Sequence, residues 1–163
     1  MMPQNAAYKD YSDFLREHFP CKVQKISVNT GYGCPNRDGT IGTGGCIYCN
    51  NESFSPDYTR QISGITAQLE AGKQFFGKKY PEMRYLAYFQ TYTNTYQPIS
   101  TLLEAYREAL SVSDVMGIII ATRPDCVSNE LLAALTALKG EGHFVMIEYG
   151  VETSHDRTLE RIN

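Results

Sequence analysis

The segment that most constrains the fold is Val115–Ala121 (VMGIIIA), a continuous apolar run with no polar face. A strand with one wet side alternates, so an unbroken run of this kind reads as a strand covered on both sides. Around it, strand and helix signals take turns. Lys22–Asn29 (KVQKISVN), Arg84–Gln90 (RYLAYFQ) and His143–Val151 read as three further strands. Ile62, Ile65, Leu69 and Phe76 recur at near-helical spacing, and Pro98 opens a helix striped by Ile99, Leu102, Leu103, Tyr106 and Leu110. Ser128 is placed to cap a helix with Leu131, Leu132, Leu135 and Leu138 inward, ending near Gly140 or Gly142. Thr153 or Ser154 is placed to cap a last helix from about His155. Four β–α units in succession predict an α/β fold with a parallel sheet and right-handed crossovers.

The bulk properties agree with one globular core. The 163 residues are 42% hydrophobic and 20% charged, which is ordinary for a folded domain. Residues 1–20 read as an N-terminal helical extension and 21–163 as the core domain. A net charge of −3 argues against broad electrostatic adhesion to nucleic acid. No apolar run is long enough for a bilayer, and the polar start MMPQNAAYKDY lacks a secretory core, so the expectation is a soluble cytoplasmic chain without a membrane partner.

Polar motifs follow each predicted strand: a cysteine-rich loop, Gln90–Tyr96 (QTYTNTY), Thr122–Asp125 (TRPD) and Gly150–Thr153 (GVET). In α/β folds that end of the strands is the active face. Three of the five cysteines, Cys34, Cys46 and Cys49, crowd into the first of these loops. A pair two residues apart can grip one metal centre, and three thiolates on a four-iron cube leave one iron open. Gly39, Gly42, Gly44 and Gly45 let the backbone wrap closely around such an object. A zinc knuckle completed by Cys21, Cys126 or a histidine is the alternative. Otherwise Cys21 and Cys126 read as small buried hydrophobes, and His18, His143 and His155 receive no role.

Strand parity adds one long-range expectation. On the fourth strand Val145, Ile147 and Tyr149 share a face, and Glu148, Gly150 and Glu152 share the other. The apolar face should meet the helices, which turns the acids to the opposite side with Lys25, Ser27 and Asn29 of the first strand. Lys25 is then expected to neutralise an acid there, Glu148 foremost.

The segment CPNRDGTIGTGGCIYCN resembles the cluster loop of the YhcC-type subfamily of radical SAM proteins, related to the radical SAM domain of the elongator catalytic subunit. The likeness runs from about Tyr8 to Asn163 and includes Tyr88–Tyr96, Ala121–Val127 and Glu148–Asn163. It implies a [4Fe-4S] cluster on Cys34, Cys46 and Cys49. S-adenosylmethionine (S-adenosyl-L-methionine, SAM) would sit on the open iron and yield a 5′-deoxyadenosyl radical that attacks the substrate. It also implies an electron donor such as flavodoxin or ferredoxin and, by analogy, RNA as a substrate. Tyr48 would lie against the adenine, and Gln90 and Thr91 stand where the superfamily has a Gly-Gly-Glu-like segment. Arg123 would bind a carboxylate or phosphate, and Glu152 completes the implied cofactor contacts. The rival readings are ordinary packing for Tyr48, a polar strand cap for Gln90 and Thr91, and pairing of Arg123 with Asp125 or Glu152. The implied architecture is a partial (β/α)6-type radical SAM barrel, an N-terminal part with about four β–α units. From another functional class, the same loop would serve a non-catalytic zinc- or iron–sulfur-binding structural module.

Overall fold

The apolar run becomes the strand Val115–Thr122, and every strand beside it is parallel. In chain order the elements are helix α1 (Tyr11–His18), strand β1 (Val23–Val28), two short helices α2 (Asn51–Phe54) and α3 (Asp57–Gln61), and helix α4 (Ile65–Gly77). Then come β2 (Arg84–Phe89), α5 (Ile99–Ser111), β3 (Val115–Thr122), a 3-10 turn Pro124–Cys126, α6 (Asn129–Gly140), β4 (Phe144–Tyr149) and α7 (Asp156–Ile162). This is a computed structural model, and it describes residues 8, 10–77, 80 and 82–162. The sheet order is β1-β2-β3-β4, so each β–α unit lays its strand beside the previous one. The chain is therefore α/β with a four-stranded parallel sheet. Among the described residues no helix is long and apolar enough to cross a membrane.

One face of the sheet carries the main core. Ile26 and Val28 of β1, Ala87 and Phe89 of β2, and Ile118 and Ile120 of β3 pack against α4, α5 and α6. The apolar stripes predicted for these helices supply the other half: Leu69, Leu102, Tyr106, Leu131 and Leu138 are all buried. Gly72 has a specific function here, because a Cβ on it would lie 2.3 Å from Ile26 Cγ2. Ser128 caps α6 by accepting from the Leu131 amide at 3.2 Å, and Gly142 turns the chain out at φ +97.

The second face is apolar at the strand starts and polar at the strand ends. Phe19, Val23, Leu86 and Ile119 form a smaller cluster, with Leu15, Cys21, Phe144 and Met146 packed on it. Helix α1 carries this cluster over the sheet, and an Asp10–Asp13 capping box fixes its start. Further along the same face, Lys25 Nζ donates to Glu148 Oε1 at 2.6 Å. It also lies 4.3 Å from the Tyr88 ring centroid and 4.5 Å from that of Tyr11. The expected pairing of Lys25 with Glu148 is therefore present. The two residues belong to the outer strands of the four-stranded order, and the registers put Phe144, not Glu148, level with Lys25; three strand spacings across and four residues along make roughly 20 Å on a flat sheet.

Removing one partner should leave the other charge short of solvation, since the two side chains are only 24% and 32% exposed. Lys25→Met is expected to cost about 1–2 kcal/mol in urea unfolding. The double variant Lys25→Met, Glu148→Gln should recover part of that loss. Equal stability of the single variant and the parent chain would contradict the pairing.

Three expectations are corrected. The stretch from Thr30 to about Arg60, whose density of Gly, Asn, Asp and Pro predicts turns, contains α2 and α3. These short helices start from local contacts, with Asn50 Oδ1 accepting from the Glu52 amide at 3.1 Å, and have no apolar stripe to reveal them. The fourth strand stops at Tyr149 rather than Val151, because Glu152 takes a left-handed φ of +61 and the backbone folds into tight turns. Glu152 is thus placed by that turn and not by alternation with Glu148. Tyr149 shares the parity of Val145 and Ile147 but is 44% exposed, beyond the cover that those two find against the main core.

Candidate functional site

The cysteine loop is built on carbonyls that turn inward. The Cys34 carbonyl accepts from the Arg37 and Asp38 amides at 2.8 and 3.2 Å, and the Pro35 carbonyl accepts from Ile41 and Gly42. The Asn36 carbonyl accepts from Gly45 at 2.9 Å, which brings the second arm back beside the first. Gly44 and Gly45 take φ of +83 and +84, a conformation that costs a side-chain-bearing residue energy. The Cys49 amide then donates to the Cys46 carbonyl at 2.9 Å, closing a tight turn between those two cysteines. Asn36, fully buried, donates from Nδ2 to Cys46 Sγ at 3.1 Å.

Neighbouring strand ends hold this loop in place. The Thr93 amide donates to the Gly33 carbonyl at 3.3 Å, and Thr40 Oγ1 lies 2.8 Å from the Tyr96 hydroxyl. The Ile47 amide reaches the Ile162 carbonyl of α7 at 3.1 Å. Asn94 secures the segment after β2: its Nδ2 donates to the Phe89 and Ala121 carbonyls at 2.9 and 3.1 Å, and its own carbonyl accepts from Tyr106 Oη. Sequence reasoning passed over Asn94, whose signal is only one polar residue in a polar run. It is nonetheless fully buried and joins the ends of two strands.

The residues that the resemblance implies for a cofactor fall into three groups. Tyr48 and Glu152 meet beside Cys46: burial first, then the Cys46 sulfur and the Glu152 carboxylate, push the Tyr48 phenol above its ordinary range. The tyrosine ring itself is half exposed. Arg123 spends its guanidinium fork on Asp125, with Nε and Nη2 donating at 2.9 and 2.8 Å. That contact holds the Asp125 carboxyl below its usual range. Gln90 and Thr91 make their contacts to the end of β1. Gln90 Oε1 accepts weakly from Ser27 at 3.4 Å, and the buried Thr91 turns its hydroxyl to the Val28 carbonyl at 3.5 Å.

Of the two lone cysteines, Cys21 is partly buried against the smaller cluster, near the expected role. Cys126 differs from the expected buried hydrophobe. It lines a cleft of about 250 Å³ with Thr95, Asp125 and Ser128. Burial and then the Asp125 carboxylate push its thiol up to about 11.

Cys34, Cys46 and Cys49 are all half-buried, and none is in a disulfide. They share one loop at the C-terminal ends of the strands, the end that a parallel sheet offers to ligands. They are not drawn into a closed set: among the described residues no three of His, Cys, Asp and Glu are gathered closely enough to hold a metal ion. Sulfur donors of this kind match iron or zinc in type.

The chain is 42% identical over 149 residues to protein YhcC of Escherichia coli K12, covering 91% of this chain and 47% of the relative. It is 37% identical over 156 residues to the uncharacterized protein YtqA of Bacillus subtilis, covering 96% of this chain and 48% of the relative. A further similarity, 34% over 163 residues, is to the uncharacterized protein MJ0486 of Methanocaldococcus jannaschii, again 96% of this chain and 48% of the relative. The chain thus spans about half the length of the curated relatives it matches. No family model matches it, and no solved structure does.

These findings correct the resemblance to the radical SAM superfamily. No family model supports it, the relatives' names assign no activity, and the cysteines of the motif form no metal-holding group. The physical reason lies in the motif itself. It records which donors are present and how far apart they are in the chain, and neither property fixes where the sulfurs sit without a metal.

Proposed function

We propose that residues 34–49 hold a [4Fe-4S] cluster through Cys34, Cys46 and Cys49, and that S-adenosylmethionine binds beside it to drive hydrogen-atom abstraction from a substrate. The reading stands on the donors and their placement, not on kinship. The observation that carries it is the meeting of Cys46, Tyr48 and Glu152 within one thiol-rich loop system at the strand ends. When bound, such a cluster supplies one electron to the sulfonium, splitting it into methionine and a 5′-deoxyadenosyl radical.

The chain's own residues would prepare that site. Asn36 orients the Cys46 sulfur through its amide. The exposed Tyr48 ring offers a flat apolar surface for a purine, and Glu152 and Gln90 offer acceptors for an ammonium group. Arg123 would have to share its fork with Asp125 to hold a carboxylate. Loading the metal would draw the three thiols together, and part of the binding free energy would order the loop. A flavodoxin- or ferredoxin-like donor would deliver the electron.

We further read the sheet as part of a (β/α)6-type barrel, with the Lys25–Glu148 face inside. What supports this is the span of that ion pair. Two side chains standing off a flat sheet three spacings apart would not meet at 2.6 Å, so the sheet must curl towards them.

Anaerobically reconstituted chain, given a strong reductant and S-adenosylmethionine, is expected to release 5′-deoxyadenosine and methionine. A chain that carries full iron and releases neither would overturn the cofactor assignment. Stoichiometric zinc without iron would instead favour a metal-stabilised binding module.

A further inference from the structure

Arg37 is the one basic residue between Lys25 and Arg60, and it lies in the middle of the cysteine loop. Its backbone amide donates to the Cys34 carbonyl at 2.8 Å, while its Nη2 donates to the Cys49 carbonyl at 3.3 Å. Between those ends the guanidinium fills the space that a side chain at position 45 would take. A Cβ on Gly45 would lie 2.7 Å from Nε and 2.8 Å from Cζ and Nη2. On its other side, Cζ is 5.5 Å from the ring centroid of Tyr92, a residue held at φ +62 in the segment after β2. Arg37 is therefore tied by its backbone to the first cysteine arm, while its side chain reaches the glycine turn, the last cysteine and the ring of Tyr92 at the adjoining strand end.

We propose that Arg37 is a positioning residue of the cysteine loop: it clamps the Cys34 and Cys49 arms against Gly45 and Tyr92 and sets a fixed positive charge beside the thiolates. The inference rests on the reading of residues 34–49 as a metal-binding loop. A clamp of this kind has two consequences. It limits the opening through which a bound metal would be lost. It also offsets the negative charge of three thiolates, which favours the more reduced, more negative state of a cluster and raises its potential.

The test compares the parent chain with Arg37→Gln, Arg37→Lys and Gly45→Ala. The last variant puts a methyl group where the guanidinium sits and keeps the cation. Far-UV circular dichroism checks that each folds. Each protein is reconstituted with ferrous iron and sulfide, then challenged with a chelator, and its midpoint potential is measured. Peptides covering 34–49 are followed by hydrogen exchange in the metal-free chain. Arg37→Gln and Gly45→Ala should release iron about 10–100-fold faster than the parent, as expected when a supporting contact of a metal site is lost. Arg37→Gln should also shift the potential to more negative values, whereas Arg37→Lys, which keeps the charge, should stay near the parent. Parental iron release and potential in Arg37→Gln would overturn the proposal. If the parent takes up no iron, the cluster reading fails on that result alone. The exchange data still decide the clamp: faster exchange of 34–49 in metal-free Arg37→Gln supports it, and unchanged exchange overturns it.

Discussion

Alanine in place of Cys34, Cys46 or Cys49 is expected to abolish the visible iron–sulfur absorbance after anaerobic reconstitution, while Cys21→Ala and Cys126→Ala keep it. Two thiolates cannot secure a four-iron cube, so each of the three losses should be complete rather than graded. The control at Cys126 is informative because that thiol lies in the TRPD turn, close enough for its field to be felt by Arg123 as that of Cys34 is. It is a poor replacement ligand. A thiol held up to about 11 is almost wholly protonated at neutral pH, and a metal binds the thiolate. The rescue of Cys34→Ala by Cys126 is therefore not expected. Full absorbance in any of the three alanine variants would remove that cysteine from the donor set.

The second large effect concerns the sheet that carries the site. Gly117 of β3 faces Phe144 at the start of β4, and a Cβ on it would lie 2.2 Å from the Phe144 carbonyl oxygen. That obstacle is backbone, so no rotamer change relieves it; β4 itself has to move. Gly117→Ala is expected to destabilise the chain by about 1–3 kcal/mol in urea unfolding. The same displacement would carry Glu148 away from Lys25. Added to Lys25→Met, Gly117→Ala should therefore cost less than it does alone, a coupling that a double-mutant cycle reads directly. Strict additivity would separate the two sites and weaken the account of β4 as the wall that presents Glu148.

Much of the scaffold was legible because it depends on periodicity. The Leu131, Leu135 and Leu138 stripe of α6, its Ser128 cap and the unbroken apolar run of β3 are local patterns with one good structural solution each, whereas Leu132, also expected inward, is exposed. The Lys25–Glu148 pair was legible for a related reason: alternation fixes the face, and a charge on a shared face needs a partner. Periodicity has no hold on α2 and α3, which begin from local contacts, or on Glu152, where a left-handed turn ends the alternation. Arg37 and Asn94 were missed because their partners are backbone carbonyls brought close only by the fold. The donors of the candidate site could be read from their spacing, but the approach of the three sulfurs could not. Spacing limits how far apart ligands can be; a bound metal draws them in.

If the thiol loop is an iron–sulfur site, metal analysis of anaerobically reconstituted chain will find about four iron and about four acid-labile sulfide per chain, lost together in Cys46→Ala. One zinc per chain with no sulfide, or no metal at all, would contradict it.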